Sequence, residues 1–257
     1  MRDKGIALKK KYGQHFLQES TFTQQMLDAV TLDHTSSVFE IGCGNGFLTK
    51  AILTTNGARL WVFEIDPEWV DYVKAQIKDP RLQVFNENFL DIDFSRLQEY
   101  VPWTVLANIP YQITFPILHL LQKNRHLLKE GVIMVQEEVA QKIIKKSGRG
   151  YGYTSLFFQW YFEWRMLAKV PPSAFNPPPK VFSRLLYFKP RKISVSIPDE
   201  EQFWRFIKSC FQKPRRTLRN NLRQTHYDVG KIANDILDLR AQQMSMDDLL
   251  NLWEILR

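Results

Sequence analysis

Strand and helix patterns alternate along the chain from residue 37 to residue 146, and this alternation constrains the fold more than any other feature. Short apolar runs predict strands, and the amphipathic stretches between them predict helices. This order is typical of a parallel sheet that is covered by helices on both faces. The chain has 257 residues, which is long enough for one large domain or two. We therefore predict an α/β fold for this part of the chain.

The first predicted strand, residues 37–41, runs directly into a turn with glycines at positions 42, 44 and 46. Glycine lets the backbone turn sharply and lets a ligand come close, and the following helix begins with free N–H groups. A dinucleotide fingerprint needs G-x-G-x-x-G, but its sixth position here is Phe47, which disfavours a nicotinamide oxidoreductase. The observed E-x-G-x-G-x-G pattern is instead the form seen in S-adenosylmethionine sites. A glycine-rich turn without a ligand is the alternative.

Polar residues follow the next two predicted strands. Glu64 stands at the end of the second strand, where an acidic residue can accept hydrogen bonds from both ribose hydroxyls. Asp66 is a second candidate, although it is better placed to cap the helix that begins at Pro67. After the third strand, a polar residue within 86–91 can bond an adenine edge. Ordinary loop polarity explains the same residues equally well.

The tetrapeptide Asn108-Ile109-Pro110-Tyr111 follows a buried strand at residues 105–107. Open α/β sheets place their chemistry at such carboxyl ends. The Asn108 amide both accepts and donates hydrogen bonds, Pro110 ends the strand ladder, and the ring of Tyr111 can lie on a flat substrate. This combination suits a planar amine. The alternative is an ordinary turn with a helix cap at Asn108 or Thr114.

Residues 171–179 contain five prolines, which make a stiff, extended segment. Its stiffness would hold Phe175 in place at low entropic cost. A second aromatic ring opposite Tyr111 would complete a sandwich for a base. A rigid linker with a buried Phe175 is the alternative.

The composition changes near residues 190–198, beyond which helical periodicity dominates. We predict a catalytic domain at residues 1–192, with a basic N-terminal arm, and a small helical domain at 193–257. The formal net charge of +8 hints at a polyanionic partner. No acidic residue lies between Gln202 and Tyr227. A predicted helix at residues 214–223 would carry Arg216 and Arg223 on one face, which favours phosphate contact over a solvated surface.

Several classes of protein are disfavoured by composition. Two cysteines are too few for a disulfide framework or a zinc site, and we expect no metal. No apolar run has the length that crosses a membrane. The lysine-rich start lacks the apolar stretch of a signal peptide. We therefore expect a cytoplasmic protein, and nothing in the sequence indicates an obligate oligomer.

Taken together, these motifs resemble the KsgA-type dimethyladenosine transferases of small-subunit ribosomal RNA. The resemblance extends from Lys10 over nearly the whole chain. It is carried by six segments: K-K-Y-G-Q-H-F-L (10–17), E-I-G-C-G-N-G-F-L-T (40–49), N-I-P-Y (108–111), V-Q-E-E-V-A (135–140), V-P-P-S-A-F-N-P-P-P-K-V (170–181) and R-R-T-L-R-N-N-L (215–222).

The resemblance implies a Rossmann-like class I methyltransferase domain that uses S-adenosyl-L-methionine to dimethylate the N6 amines of two adjacent adenosines near the 3′ end of 16S ribosomal RNA. The expected partner is this RNA within the pre-30S particle, in small-subunit biogenesis. The expected sites divide by role. The target base would meet Asn108, Pro110, Tyr111 and Phe175. The methyl donor would meet His15, Leu17, Gly42, Gly44, Glu64, Asn88 and Asn108. The RNA would meet Lys10, Lys11, Lys180, Arg215, Arg216, Arg219 and Arg223.

One departure from the family pattern concerns the donor site. Family members usually carry Asp at the position of Asn88, so weaker donor binding is expected. Two rival functions remain. The same chemistry on large-subunit RNA would confer antibiotic resistance, but R-R-T-L-R-N-N-L argues against it. A binding protein that has lost the reaction is disfavoured by the intact glycine turn, Glu64 and N-I-P-Y.

Overall fold

The structure, a computed structural model, describes residues 2–193 and 195–257; the side chain of Lys10 also lies outside the description. The chain folds into two compact units. One unit runs through Ala140 and resumes over Phe162–Pro190, and the other comprises Gln141–Tyr161 and Arg191–Arg257. Residues 141–161 are predicted to lie in the first domain, but in the structure they belong to the same unit as the C-terminal residues. A domain boundary at 192/193 therefore stays a prediction.

The first unit contains all eleven strands of the described residues. They are β1 (Arg2–Asp3), β2 (Ile6–Ala7), β3 (Phe16–Leu17), β4 (Ser37–Ile41), β5 (Arg59–Glu64), β6 (Leu82–Asn86), β7 (Trp103–Asn108), β8 (Leu128–Gln136), β9 (Phe162–Val170), β10 (Phe175–Asn176) and β11 (Ser183–Pro190).

Seven of these strands form one sheet in the order β6-β5-β4-β7-β8-β11-β9. The five strands from β6 to β8 are parallel, as the strand–helix alternation predicts. Strand β11 runs antiparallel to both β8 and β9. The chain reverses its direction of winding between β4 and β7, and ligands of open α/β sheets bind at such a reversal. The glycine turn follows β4, and Asn108 ends β7, so both predicted motifs lie there.

Ten α-helices and several short 3-10 helices complete the two units. The α-helices are α1 (Ser20–Asp28), α2 (Phe47–Leu53), α3 (Pro67–Gln76), α4 (Thr114–Lys123), α5 (Glu137–Ile144), α6 (Tyr153–Tyr161), α7 (Glu200–Cys210), α8 (Leu218–Leu222), α9 (Asn234–Leu237) and α10 (Met246–Leu256), all counted within the described residues. The predicted cap of α3 is confirmed, because the Asp66 carboxylate accepts a hydrogen bond from the N–H of Glu68.

The core of the first unit explains why these elements form. Every residue of β4 is buried, as are five of the six residues of β7, which is expected for central strands covered on both faces. Helices α1 and α2 contribute Met26 and Ile52 to a hydrophobic cluster that includes Val38 and Leu106 from the sheet. The core therefore keeps the carboxyl edge of the parallel strands rigid.

The second unit contains helices and no strand among its described residues. The helix predicted over residues 214–223 is shorter, because α8 begins only at Leu218. The buried side chain of Asn221 accounts for the difference: its Nδ2 donates to the carbonyl oxygens of Cys210 and Lys213, and its Oδ1 accepts from the N–H of Lys213. The backbone before α8 folds around this amide as a turn instead of continuing as a helix.

Candidate active site

A cavity opens at the carboxyl edge of the parallel strands, within the first unit. It is bounded by the turn after β4, the ends of β5 and β7, and the segment that leads into β3. Nine of the predicted site residues line it: His15, Leu17, Gly42, Gly44, Glu64, Asn88, Asn108, Pro110 and Tyr111. The structure therefore brings the predicted donor residues and the tetrapeptide to one place.

The glycine turn passes close to β3. Gly42 and Gly44 have positive φ angles of 76° and 48°, which favour glycine. A Cβ atom on Gly44 would lie 2.7 Å from Cδ1 of Phe16. The ring of Phe16 is itself held edge-on against Trp69, with 4.8 Å between the ring centroids. The turn is thus shaped by contact with its own chain, and a side chain at position 44 would displace one wall of the cavity.

Glu64, the last residue of β5, stabilises the same turn through hydrogen bonds. One carboxylate oxygen accepts from the N–H of Gly44 at 3.0 Å, and the other accepts from the N–H of Asp66 at 2.9 Å. Burial raises the pKa of Glu64 above its usual value, although these two backbone hydrogen bonds oppose the rise. Each oxygen keeps a further lone pair, so the carboxylate can still accept from hydroxyl groups.

Asp66 anchors the N-terminal arm. Its fully buried carboxylate accepts from Nζ of Lys9 at 2.6 Å and from Nε2 of Gln14 at 3.0 Å. The pKa of Lys9 is raised, chiefly by its hydrogen bond to Asp66. The arm is therefore tied to the start of α3 directly before it enters the cavity wall.

Asn88 is engaged with its own loop. Its Oδ1 accepts from the N–H of Leu90 at 3.2 Å, and its Nδ2 donates to a carboxylate oxygen of Asp91 at 2.7 Å. Since a carbonyl oxygen has two lone pairs, Oδ1 can accept one further hydrogen bond. Asn88, at the position of the expected Asp, is therefore hydrogen-bonded to a carboxylate three residues later, that of Asp91.

Asn108 is oriented by the N-terminal segment. Its Nδ2 donates to the backbone carbonyl oxygen of His15 at 3.0 Å. Its Oδ1 accepts no hydrogen bond from the described residues. The carbonyl oxygen of Pro110 accepts from the N–H of Ile113 at 3.1 Å and keeps one lone pair. Two acceptors suited to an amine therefore stand close together along the chain.

Tyr111 is held at both ends of its side chain. Its ring is stacked on His15, with 6.0 Å between the centroids and 21° between the planes. Its hydroxyl lies 2.5 Å from Oγ of the buried Ser183. Burial raises the pKa of Tyr111, so the phenol stays neutral near pH 7. The ring is a rigid, uncharged surface in the cavity wall.

Phe175 packs into the core of the first unit. It is 3% exposed, belongs to the hydrophobic core and does not line the cavity. Strand β10 pairs Phe175 with Leu17, and the carbonyl oxygen of Pro177 lies 2.8 Å from Nδ1 of His15. The stiff proline segment therefore supports the backbone that carries His15 and Leu17. The ring of Phe175 packs into the core in this structure, and its sandwich with Tyr111 around a target base stays a prediction.

The predicted RNA-binding cations differ in their surroundings. Lys11 and Lys180 are exposed, as are Arg215, Arg216 and Arg223 in the second unit. Arg219 instead donates to Asp238 at 3.1 Å and to Asn234 at 3.0 Å. The side chain of Lys10 lies outside the described residues.

Glu40 lines the cavity but is not among the predicted site residues. It does so although it is fully buried. Its Oε2 accepts from the hydroxyl of Thr49 at 2.7 Å, whereas its Oε1 has no hydrogen-bond partner among the described residues. Burial raises the pKa of Glu40 to about 8. The sequence motif could have indicated this residue, because Glu40 is the first residue of the E-x-G-x-G-x-G pattern.

The described residues contain neither a cluster of metal ligands nor a membrane-spanning helix. Residues 2–193 and 195–257 contain no group of three or more His, Cys, Asp and Glu side chains that could hold a metal ion. In the same residues, every helix is too short or too polar to pass through a bilayer.

Comparison with known sequences gives consistent results. The family model described as Ribosomal RNA adenine dimethylase matches residues 5–256. A protein of Chlorobium phaeobacteroides (strain DSM 266) named Ribosomal RNA small subunit methyltransferase A is 36% identical over 98% of this chain and 92% of its own length. A protein of the same name from Streptococcus thermophilus is 33% identical over 98% of this chain and 93% of its own length.

Comparison with solved structures concerns the fold. A dimethyladenosine transferase from Plasmodium falciparum superposes with a TM-score of 0.80 at 22% identity, covering 93% of this chain and 96% of that one. The 23S rRNA methyltransferase ErmE gives a TM-score of 0.73 at 20% identity, covering 94% and 99%. These likenesses confirm the predicted Rossmann-like methyltransferase fold.

Proposed function

The chain belongs to the ribosomal RNA adenine dimethylase family, and on this premise we propose that it dimethylates the N6 amines of two adjacent adenosines near the 3′ end of small-subunit ribosomal RNA. The general reaction, transfer of methyl groups from S-adenosyl-L-methionine to adenine in ribosomal RNA, follows from the family. The choice of the small subunit is supported by relatives of that name, which match nearly the whole chain.

The observation that carries the proposal is the orientation of Asn108. Its Nδ2 is committed to the carbonyl oxygen of His15, which leaves Oδ1 as an acceptor at the end of β7. The same cavity is lined by the glycine turn. An amine acceptor therefore stands beside a donor site, as transfer to nitrogen requires.

The cavity fits S-adenosyl-L-methionine on two counts. The unpaired Oε1 of the buried Glu40 suits an ammonium group. The carboxylate of Glu64 can accept from the two ribose hydroxyls. We propose that these residues hold the donor, with His15, Leu17, Gly42, Gly44 and Asn88 completing its site; the donor supplies an electrophilic methyl group on its sulfonium.

The target amine needs activation, because its lone pair is delocalised into the adenine ring. We propose that Oδ1 of Asn108 and the free lone pair of the Pro110 carbonyl each accept an N6 hydrogen, which draws the nitrogen toward tetrahedral geometry. Tyr111 stacks on the base, and such stacking contributes about 1–3 kcal/mol per base. No strong base is required, since the methylated amine is acidic and loses its proton to water. Positioning of this kind can supply on the order of 7–11 kcal/mol of the barrier.

The biological setting follows from the substrate. We propose that the protein acts as a monomer in the cytoplasm, on the RNA of the pre-30S particle, as part of small-subunit biogenesis. The exposed cations Lys11, Lys180, Arg215, Arg216 and Arg223 contribute the RNA contacts, and the target base leaves its stack to enter the cavity. Lys10 remains a proposed contact on the sequence alone.

The test is incubation with labelled S-adenosyl-L-methionine and unmethylated small ribosomal subunits, with large subunits in parallel. Label in dimethyladenosine of small-subunit RNA is the expected result. Label in large-subunit RNA alone would overturn the substrate assignment and favour the resistance-conferring reaction. RNA binding without label in either subunit would favour a protein that has kept the fold and lost the reaction.

A further inference from the structure

Phe182 is an aromatic side chain that the fold leaves in solvent. It is 45% exposed, and among the Phe, Trp and Tyr residues that the structure describes it is the only exposed one. The other described rings of this aromatic-rich chain are buried or half-buried. The preceding residue, Val181, is also exposed, at 40%, so the apolar surface at this point is not confined to one side chain. Adjoining exposed apolar side chains are typical of an interaction surface.

The ring is carried by a rigid backbone beside the cavity. Phe182 directly precedes β11, and its carbonyl oxygen accepts from the N–H of Glu137 at 3.0 Å. The next residue, Ser183, pairs with Gln136 at the end of β8 and holds the hydroxyl of Tyr111. Phe182 thus stands one residue from a side chain that fixes the cavity wall, at the edge where the parallel strands end.

The charge around the ring is positive. Nζ of Lys169 lies 4.3 Å from the ring centroid, and Lys180 is exposed two residues earlier. Arg184 contributes little net charge, because its guanidinium donates to both carboxylate oxygens of Glu137, at 2.6 and 2.8 Å. An aromatic ring with a lysine beside it and another two residues away in the sequence is an arrangement suited to unpaired nucleotides, because the ring can stack on a base while the lysines neutralise phosphates.

We propose that Phe182 stacks on the base of an unpaired nucleotide that flanks the target adenosine, while Lys169 and Lys180 contact the adjoining phosphates. This inference rests on the proposed function, since it requires an RNA strand at the cavity. The target base loses its stacking neighbours when it enters the cavity. A ring that takes up a flanking base replaces part of that lost stacking. Phe182 is therefore a positioning residue for the RNA strand.

Binding of a synthetic small-subunit RNA fragment, measured over a range of salt concentrations, tests the proposal. Phe182→Ala is expected to weaken binding about 5- to 150-fold, the range for one stacked base, with an unchanged salt slope. Phe182→Trp is expected to restore binding and Phe182→Leu is not. Lys169→Gln is expected to reduce the slope of log affinity against log salt by about 0.7. Val101→Ala, at an apolar residue that is 46% exposed, is the matched control.

A double-mutant cycle locates the partner base. Abasic nucleotides are introduced one at a time on either side of the target. At one position, the abasic RNA should bind the wild-type protein as weakly as the intact RNA binds Phe182→Ala, and the two changes together should cost no more than either alone. Additive losses at every position, or full binding by Phe182→Leu, would overturn the stacking role.

The outcomes separate this inference from the proposed function. If the wild-type protein methylates small subunits but Phe182→Ala binds the RNA equally well, the stacking role alone fails. If the wild-type protein neither methylates small subunits nor prefers the fragment over a scrambled RNA, the proposed function fails as well. Loss of binding to another protein, with RNA affinity intact, would assign the exposed ring to a protein interface instead.

Discussion

The side-chain amide of Asn108 is hydrogen-bonded to the backbone of His15, with 3.0 Å between Nδ2 of Asn108 and the carbonyl oxygen of His15. Because a carbonyl oxygen can only accept, this contact settles which way the amide points. His15 is held in turn from the proline segment, since its Nδ1 lies 2.8 Å from the carbonyl oxygen of Pro177. Three distant parts of the chain thus combine to aim one acceptor, Oδ1 of Asn108.

Replacement of Asn108 by Ala should therefore remove catalysis and leave donor binding largely intact. We expect the rate of methyl transfer to fall by about 10²- to 10³-fold, the usual loss when one preorganised polar group is deleted. The dissociation constant of the donor, measured by calorimetry, should change only a few-fold. Asn124→Ala is the control, since that amide also donates to a backbone carbonyl, of Leu120, outside the cavity. Near-normal turnover by Asn108→Ala would refute the assigned role.

The buried carboxyl of Glu40 should make stability depend on pH. Burial raises its pKa from 4.5 to about 8, so the folded state favours the protonated form. The associated stability is fully present below pH 4.5 and is lost as the pH rises to about 8, a change on the order of a few kcal/mol. In urea unfolding, Glu40→Gln should gain stability relative to wild type as the pH rises from 5 to 8. Parallel pH profiles for the two proteins would contradict this expectation.

The same group should couple donor binding to pH. An ammonium placed against Oε1 of Glu40 favours the ionised carboxyl, so binding should release a proton below pH 8 and donor affinity should rise between pH 6 and 7.5. Glu40→Gln should bind the donor more weakly and lose this rise. The proton release can be measured directly by calorimetry in buffers of different ionisation enthalpy. Equal release by both proteins would remove Glu40 from the donor site.

The pair formed by Asn88 and Asp91 allows a reciprocal exchange. Asn88→Asp alone would place two carboxylates where Nδ2 now donates to Asp91 at 2.7 Å. Their repulsion should prevent any gain in donor affinity, although the variant restores the family's usual residue. Asn88→Asp combined with Asp91→Asn restores a donor and an acceptor and should bind the donor at least as tightly as wild type. Equal affinities for the single and double variants would show that the pair is not coupled.

Much of the fold could be predicted because its signals are local. The apolar runs of β4 and β7 and the glycines after β4 mark the strands and the turn that form the cavity. The orientation of β9 and β11 could not be predicted in this way. Strand direction depends on which partner a strand meets, and the pairing of Ser183 with Gln136 is a contact between residues far apart in the sequence.

The surroundings of the site residues also depend on contacts between distant parts of the chain. Phe175 has the chemistry of a base-stacking residue, but the pairing of β10 with β3 turns its ring into the core. Arg219 belongs to a basic run, yet Asp238 lies beside it only after the chain has folded back. Glu40 gains its significance from burial, which the sequence pattern does not quantify. Local chemistry therefore identifies candidate residues, but the partners and burial of each one depend on long-range packing.

The arginines of the second unit should divide into two groups, according to whether the guanidinium group is exposed or already bonded to another side chain. Arg215, Arg216 and Arg223 are exposed, so replacing any one by Gln should reduce the slope of log RNA affinity against log salt by about 0.7–0.9. Arg219→Gln should change the slope less and should instead lower the melting temperature, because it breaks the contacts with Asp238 and Asn234. Arg205→Gln is the matched control, since Arg205 is paired with Glu201 on the exposed side of α7.

The comparison requires the RNA affinities of all five variants at the same series of salt concentrations, together with thermal unfolding of each protein. The decisive pair is Arg216→Gln and Arg219→Gln, which lie three residues apart and remove the same charge. If only Arg216→Gln reduces the slope of log RNA affinity against log salt, the exposed Arg216 contacts phosphate and Arg219 does not. Equal slopes for the two variants would show that the ion pair with Asp238 opens when RNA binds, and that Arg219 contacts phosphate as the sequence predicts.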